Sequence, residues 1–124
     1  MSRAERRRRL LWGAGGVALV GLIGWGSLMP APAPASPGYT DKLVHLTAYT
    51  VLAGWWALGW RGAFWPLAIG VFGYGALLEV LQTLGGTRTG SWGDLAANGA
   101  GVAAGVLAAI PLRQRMRGSR RPDA

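Results

Sequence analysis

The chain contains a long apolar run, Leu10–Met29, that no charged residue interrupts. A bilayer hydrocarbon core is about 30 Å thick, which takes roughly 20 apolar residues of α-helix at a rise of 1.5 Å each. The run has that length, so it predicts a membrane-spanning helix. More than any other feature, it limits the chain to folds that a membrane can hold.

Two later segments have the same character. Leu43–Trp60 carries no acidic or basic residue other than His45, and Ala63–Leu84 carries none other than Glu79. Arg61 and the glycine after it lie between the two segments and predict a tight turn. Each segment is long enough to span a bilayer as a helix.

The fourth apolar segment begins at a helix-capping pattern. Ser91 is followed three residues later by Asp94, which is the S-x-x-[DE] form of a capping box. A helix is therefore predicted to start near Trp92 and to run to about Leu112. Pro30–Tyr39 is rich in proline, which lacks an amide donor and restricts the residue before it, so this stretch predicts a linker outside the membrane.

Together these patterns predict an all-α integral membrane bundle of four transmembrane helices, at about residues 10–29, 42–60, 63–84 and 92–112. Residues 1–9 and 113–124 are predicted to be basic tails on either side of this domain. Of the thirteen Lys and Arg residues, all but Lys42 and Arg88 lie in the two tails or at Arg61. Because Lys and Arg collect in cytoplasmic segments, both termini are predicted to be cytoplasmic.

Other interpretations of the charge and of the first span are less favoured. The N-terminal arginines, the apolar run and Ala33-Pro34-Ala35 also resemble a secretory signal, whose cleavage would leave three spans, but the run exceeds the usual 7–15 residues of a signal core. The net charge of +8 raises the question of nucleic acid. The basic residues flank apolar runs instead of forming a polar face, so no nucleic-acid partner is expected.

Polar residues of the three later helices are predicted to share the outer side of the membrane. Asp41 and His45 are spaced i,i+4, as are Asp94 and Asn98, so each pair projects from one helix face. Charges at membrane depth are costly and persist where they pair or line a wet cavity. The predicted pocket comprises Asp41, Lys42, His45, Glu79, Gln82, Arg88, Asp94 and Asn98.

A purely structural explanation of the same residues stays open. Lys42 and Arg88 could neutralise Glu79 and Asp94, giving a polar clamp that fixes helix register.

Neither a metal site nor a cofactor is expected, since one histidine and scattered carboxylates make a poor ligand set and there is no cysteine. A GxxxG pattern at residues 101–105 predicts close helix packing inside the bundle, with self-association as the alternative.

The ordered set of polar residues resembles the VanZ-like family, named for a protein associated with teicoplanin resistance. The resemblance covers about half the chain and rests on Asp41-Lys42-Leu43-Val44-His45, Glu79-x-x-Gln82, Arg88 and Asp94-Leu95-Ala96-Ala97-Asn98-x-x-Gly101. It departs at Thr47, where an apolar residue is expected, and in the glycine-rich loop after Gln82. The resemblance implies a multi-span protein of the bacterial cytoplasmic (inner) membrane, with a link to glycopeptide susceptibility in its best-known member.

Three functions are compatible with the sequence. The leading hypothesis is a module, expected to be non-enzymatic, whose outward-facing pocket binds an anionic lipid or the headgroup of a lipid-linked envelope precursor, with Lys42, Arg88 and His45 as donors. The second is an intramembrane enzyme with His45 or Glu79 as general base on a lipid-linked substrate. The third is a small oligomeric transporter.

Overall fold

The computed structural model describes residues 1–30, 38–86 and 90–119; for residues 38 and 39 it describes the backbone alone. This part of the chain is all-helical, which confirms the predicted class. The four helices are α1 (Arg3–Leu28), α2 (Gly38–Gly59), α3 (Phe64–Gly85) and α4 (Trp92–Gly118). No strand occurs among the residues that the structure describes.

Three of the helices are longer than the sequence predicts. Residues 3–9 are the first turns of α1, because Ser2 and Glu5 form a capping box that starts the helix early. Helix α2 already begins at Gly38, inside the predicted linker. Helix α4 continues through Pro111 to Gly118, where Arg115 and Arg117 in the last turn favourably face the negative end of the helix dipole. Arginine is also a strong helix former, so a basic segment next to an apolar helix readily extends it.

The other predicted ends agree closely with the structure. Helix α4 starts at Trp92 with Ser91 as N-cap, as the capping pattern indicates. Helix α3 ends at Gly85, and Gly86 follows with φ +65°, a left-handed conformation that glycine adopts without steric cost.

Helices α1, α3 and α4 are each long and apolar enough to cross a membrane. Helix α2 is not among them, since a histidine, tyrosines, threonines and tryptophans lower its mean hydropathy. It is nevertheless the central helix, because its contacts with the rest of the bundle are the most extensive: like α3 it packs against all three other helices, and most of all against α4. Its buried residues Tyr49, Leu52, Ala53 and Ala57 form much of the core.

Helices α2 and α4 make the most extensive contact of the fold, and glycines bring their backbones together. A Cβ placed on Gly101 would lie 2.6 Å from the carbonyl oxygen of Leu46, and one on Gly105 would overlap the Thr50 carbonyl oxygen and the Gly54 nitrogen. The GxxxG pattern thus serves packing inside one chain, as predicted.

Helix α1 packs at the edge of the bundle against α2 and α3. Its polar attachments run through aromatic and amide side chains. Tyr74 donates to the Val20 carbonyl at 2.6 Å, and the indoles of Trp12 and Trp55 each donate to the other residue's carbonyl oxygen at 3.0 Å. Much of the remaining α1 surface is exposed and apolar, as expected of a helix that faces lipid.

We expect Gly105→Ala to lower the free energy of unfolding by roughly 1–3 kcal/mol, because the new methyl meets backbone atoms of α2 that cannot rotate away. Gly73→Ala on α3 is the matched control: a Cβ there meets open space, and alanine favours a helix interior by up to about 1 kcal/mol over glycine. Reversible unfolding in mixed detergent micelles measures both. Equal stability of the two variants would contradict the close α2–α4 contact.

Candidate functional site

Six polar side chains meet at the end of the bundle where α2 and α4 begin and α3 ends. This polar cluster consists of Asp41, Lys42, His45, Glu79, Asp94 and Asn98. The helix directions explain the meeting, since α3 runs opposite to α2 and α4 and so brings its last turns to their first ones. Four of the six side chains are buried, and Lys42 and Asp41 form a more exposed rim.

His45 lies at the centre of the polar cluster. Its Nδ1 is 2.8 Å from Oδ1 of Asn98 and 3.6 Å from Oε1 of Glu79, while its Nε2 is 4.0 Å from Oδ1 of Asp41. An amide oxygen only accepts hydrogen bonds, so Nδ1 is the protonated ring nitrogen and donates a hydrogen bond to Asn98 Oδ1. In the neutral imidazole, Nε2 then has a lone pair on the side facing Asp41.

Glu79 accepts a hydrogen bond from the Ser91 amide, which in a complete capping box would donate to the Asp94 carboxylate. Ser91 Oγ accepts from the Asp94 amide at 3.0 Å, which is the first half of the motif. The Ser91 amide, however, donates to Glu79 Oε2 at 3.3 Å. This contact ties the end of α3 to the start of α4, and it leaves the Asp94 carboxylate to face the cluster instead of its own helix cap.

Two buried atoms of the cluster have no hydrogen-bond partner. They are Oδ1 of Asp94 and Nδ2 of Asn98. The Lys42 ammonium is 3.9 Å from that Asp94 oxygen, which is beyond hydrogen-bond distance. Most buried polar atoms in folded proteins are satisfied, so an unsatisfied acceptor and donor in one small region indicate a place for a ligand, ion or water.

The described part of the cluster contains more acid than base. Asp41, Glu79 and Asp94 supply three carboxylates, against the ammonium of Lys42 and the imidazole of His45. Lys42 packs its stem over Gly93, where a Cβ would come within 2.5 Å of Cε. Its side chain is 48% exposed, so the cation lies at the rim and not in the buried layer.

Two of the predicted pocket residues lie elsewhere or outside the described residues. Gln82 is buried but donates to the carbonyl oxygen of Ser27 at 2.6 Å, so it fastens the end of α1 to α3. The i,i+3 spacing of Gln82 from Glu79 predicts that both lie on one face of α3. It does not show that Gln82 meets α1 and not the helices that carry the cluster. Arg88 lies outside the residues that the structure describes.

The fold also brings together three metal-ligand side chains that are distant in sequence. Asp41, His45 and Asp94 each offer one donor atom, and these atoms lie within 4.8 Å of one another. Because these carboxylates are scattered along the sequence, no metal site is expected from the sequence alone. The sequence also gives no sign of the role of Gly75, where a Cβ would come within 2.9 Å of the Asn98 amide nitrogen. The absent side chain leaves room for that amide.

No protein-family model, curated protein or solved structure matches the chain. The resemblance to the VanZ-like family therefore stays a prediction that rests on the quoted residues. Six of its eight polar positions form the polar cluster.

We expect Asn98→Leu to destabilise the protein by roughly 1–3 kcal/mol, because it leaves the buried His45 Nδ1–H without its acceptor. Asn98→Asp is the matched control, since it keeps an acceptor oxygen in nearly the same volume. Unfolding in detergent reports stability, and ¹⁵N NMR of the imidazole reports which ring nitrogen is protonated. A wild-type ring protonated only at Nε2 would contradict the assigned hydrogen bond.

Proposed function

We propose that the chain is a VanZ-like integral membrane protein of the bacterial cytoplasmic membrane that crosses the bilayer four times. Both basic ends lie in the cytoplasm, and the polar cluster faces the outer side. There it binds the phosphate-bearing headgroup of an anionic lipid or lipid-linked envelope precursor. The observation that carries the binding proposal is the buried, unsatisfied polar layer beneath the Asp41–Lys42 rim.

Helix α2 completes the proposed set of four spans. Its 22 residues would extend about 33 Å, enough for a hydrocarbon core. Its moderate hydropathy is compatible with a membrane because α1, α3 and α4 all pack against it, so fewer of its side chains need to face lipid. A helix that turns its polar groups inward can span where an isolated helix of the same composition would not.

The opposite end of the bundle supports the proposed orientation. A cavity of about 560 Å³ there is lined by five arginines, three tryptophans and a few apolar residues, and by no acid: Arg8, Arg9, Trp12, Trp55, Leu58, Gly59, Trp60, Arg61, Arg113, Met116 and Arg117. Arginines concentrate on the cytoplasmic face of membrane proteins, and tryptophans concentrate at the membrane–water interface. Four spans put both termini and Arg61 at this face.

A phosphate headgroup suits the rim of the polar cluster. The half-exposed Lys42 ammonium places a positive charge at the entrance, and α2 and α4 both direct their N-terminal dipole ends toward this side. The three carboxylates oppose direct entry of an anion into the buried layer. The headgroup is therefore proposed to sit at the rim, above the His45–Asn98 pair.

We expect a fluorescent-protein fusion at the C-terminus to fold and fluoresce in bacteria, because four spans leave that end in the cytoplasm. An alkaline phosphatase fusion after Gly86 should be active, since it would lie outside. The reciprocal fusions are the controls and should both be inactive. An active phosphatase at the C-terminus would contradict the proposed topology.

We expect the purified protein to retain undecaprenyl phosphate in preference to phosphatidylethanolamine when both are supplied equally in native mass spectrometry. Lys42→Met should reduce this retention roughly tenfold, the effect of one charge-assisted bond of about 1.4 kcal/mol.

Arg61→Met, at the opposite end, is the matched control and should retain the phosphate lipid as the wild type does. Loss of retention in Arg61→Met but not in Lys42→Met would place the lipid at the arginine-lined cavity and contradict the proposed site.

A further inference from the structure

Three side chains of the polar cluster form an incomplete coordination sphere. Asp41 and His45 project from successive turns of α2, Asp94 projects from the first turn of α4, and their donor atoms lie within 4.8 Å of one another. Tetrahedral Zn²⁺ with bonds of about 2.0–2.2 Å separates its ligand atoms by roughly 3.3–3.6 Å. His45 Nε2 and Asp41 Oδ1 are 4.0 Å apart. Binding of Zn²⁺ would therefore draw the donor atoms of the three side chains closer together.

His45 is held as a metal-binding histidine is usually held. A ligating imidazole donates its other N–H to a fixed acceptor, which sets the ring orientation and the tautomer. Here Nδ1 donates to Asn98 Oδ1 at 2.8 Å. In the neutral ring the remaining nitrogen, Nε2, has a lone pair and lies 4.0 Å from Oδ1 of Asp41. A cation between them could bind to both atoms.

The Asp94 carboxylate gives an independent indication of a ligand. It is 6% exposed, and its Oδ1 has no hydrogen-bond partner. The Ser91 amide, which would satisfy Asp94 in a complete capping box, donates to Glu79 instead. A buried carboxylate oxygen is costly to leave without a partner, and a metal ion removes that cost.

We propose that Asp41, His45 and Asp94 bind a divalent transition-metal ion, with Zn²⁺ as the best match to one imidazole and two carboxylates. Three protein ligands leave at least one coordination position open. That position can take water or the phosphate oxygen of a headgroup at the rim; this bridging role rests on the proposed function, whereas the metal site does not. The ion also balances the excess of carboxylates in the described cluster.

Lys42 provides the alternative to a metal ion. Its ammonium lies 3.9 Å from Asp94 Oδ1, so the cluster could instead be a salt-bridged clamp between α2 and α4. The two assignments differ in what removal of this lysine does. If the cluster is a clamp, removal of Lys42 lowers the stability of the fold. If it is a metal site, removal of Lys42 takes away a cation that competes with the metal ion for Asp94.

Isothermal titration of Zn²⁺ into the detergent-solubilised protein, purified through a tag without histidines and free of added lipid, tests the site. We expect one Zn²⁺ per chain, with affinity at least tenfold lower in Asp94→Asn and His45→Gln. Glu5→Gln, an acid at the far end of α1, is the matched control and should bind as the wild type does. Lys42→Met should bind Zn²⁺ equally or more tightly.

Equal affinity in the wild type and Asp94→Asn would mean adventitious Zn²⁺ and overturn the site, as would loss of binding in Lys42→Met with its fold intact. If the ligand variants fail to fold, ¹⁵N NMR of the wild-type imidazole decides. Zn²⁺ must shift Nε2 while Nδ1 stays protonated, and an unchanged ring overturns the proposal.

Retention of undecaprenyl phosphate with Zn²⁺ and with EDTA separates the two proposals. Higher retention with Zn²⁺ supports bridging. Equal retention overturns bridging, while the titration still decides the metal site. Zn²⁺ binding without any lipid retention contradicts the proposed function and supports the metal site.

Discussion

The close contact between α2 and α4 determines the rest of the structure. Glycines at 101 and 105 let the backbone of α4 come so close to the Leu46 and Thr50 carbonyl oxygens of α2 that a Cβ at either position would clash with them. Helices at this distance gain van der Waals contact along their length, which is the main attraction between helices that lipid surrounds. The same contact sets the register of the two N-terminal ends. Asn98, one turn before Gly101, is thereby placed within 2.8 Å of His45.

The bundle buries polar groups at one end and concentrates cations at the other. Where α2 and α4 begin, the buried layer holds an imidazole, an amide and two carboxylates. At the opposite end, arginines and tryptophans line an open cavity without any acid. This division follows from the cost of charge inside a bilayer, since a buried ionisable group needs a partner while a long basic side chain can extend to the headgroup region. The central, less apolar α2 is compatible with such a bundle because its polar face points inward.

The hydrogen bond from the Ser91 amide to Glu79 leaves the Asp94 carboxylate available to the polar cluster. The Ser91 hydroxyl accepts from the Asp94 amide and so caps α4. The Ser91 amide, which the same cap could use, donates instead to Glu79 on α3. This hydrogen bond fastens α3 to α4 and leaves Asp94 directed toward α2. Oδ1 of Asp94 remains without a hydrogen-bond partner, and so does the buried Nδ2 of Asn98. A stability-driven fold would satisfy these atoms internally, which is why they support a binding role over a purely structural clamp.

The sequence by itself determined the helical class, three apolar helices long enough to span a membrane, the start of α4 and the candidate polar positions. These depend on local patterns: run length, capping residues and helical spacing. Its predicted helix ends were too short at residues 3–9 and 113–118, because basic residues next to an apolar helix can also be helical. Only the tertiary structure decided that Gln82 reaches α1 and that the donor atoms of Asp41, His45 and Asp94 come within 4.8 Å of one another, close enough to suggest a metal site. Spacing along one helix fixes the face on which a side chain lies, whereas the neighbour it meets depends on how close the helices pack, and glycine contacts set that distance here.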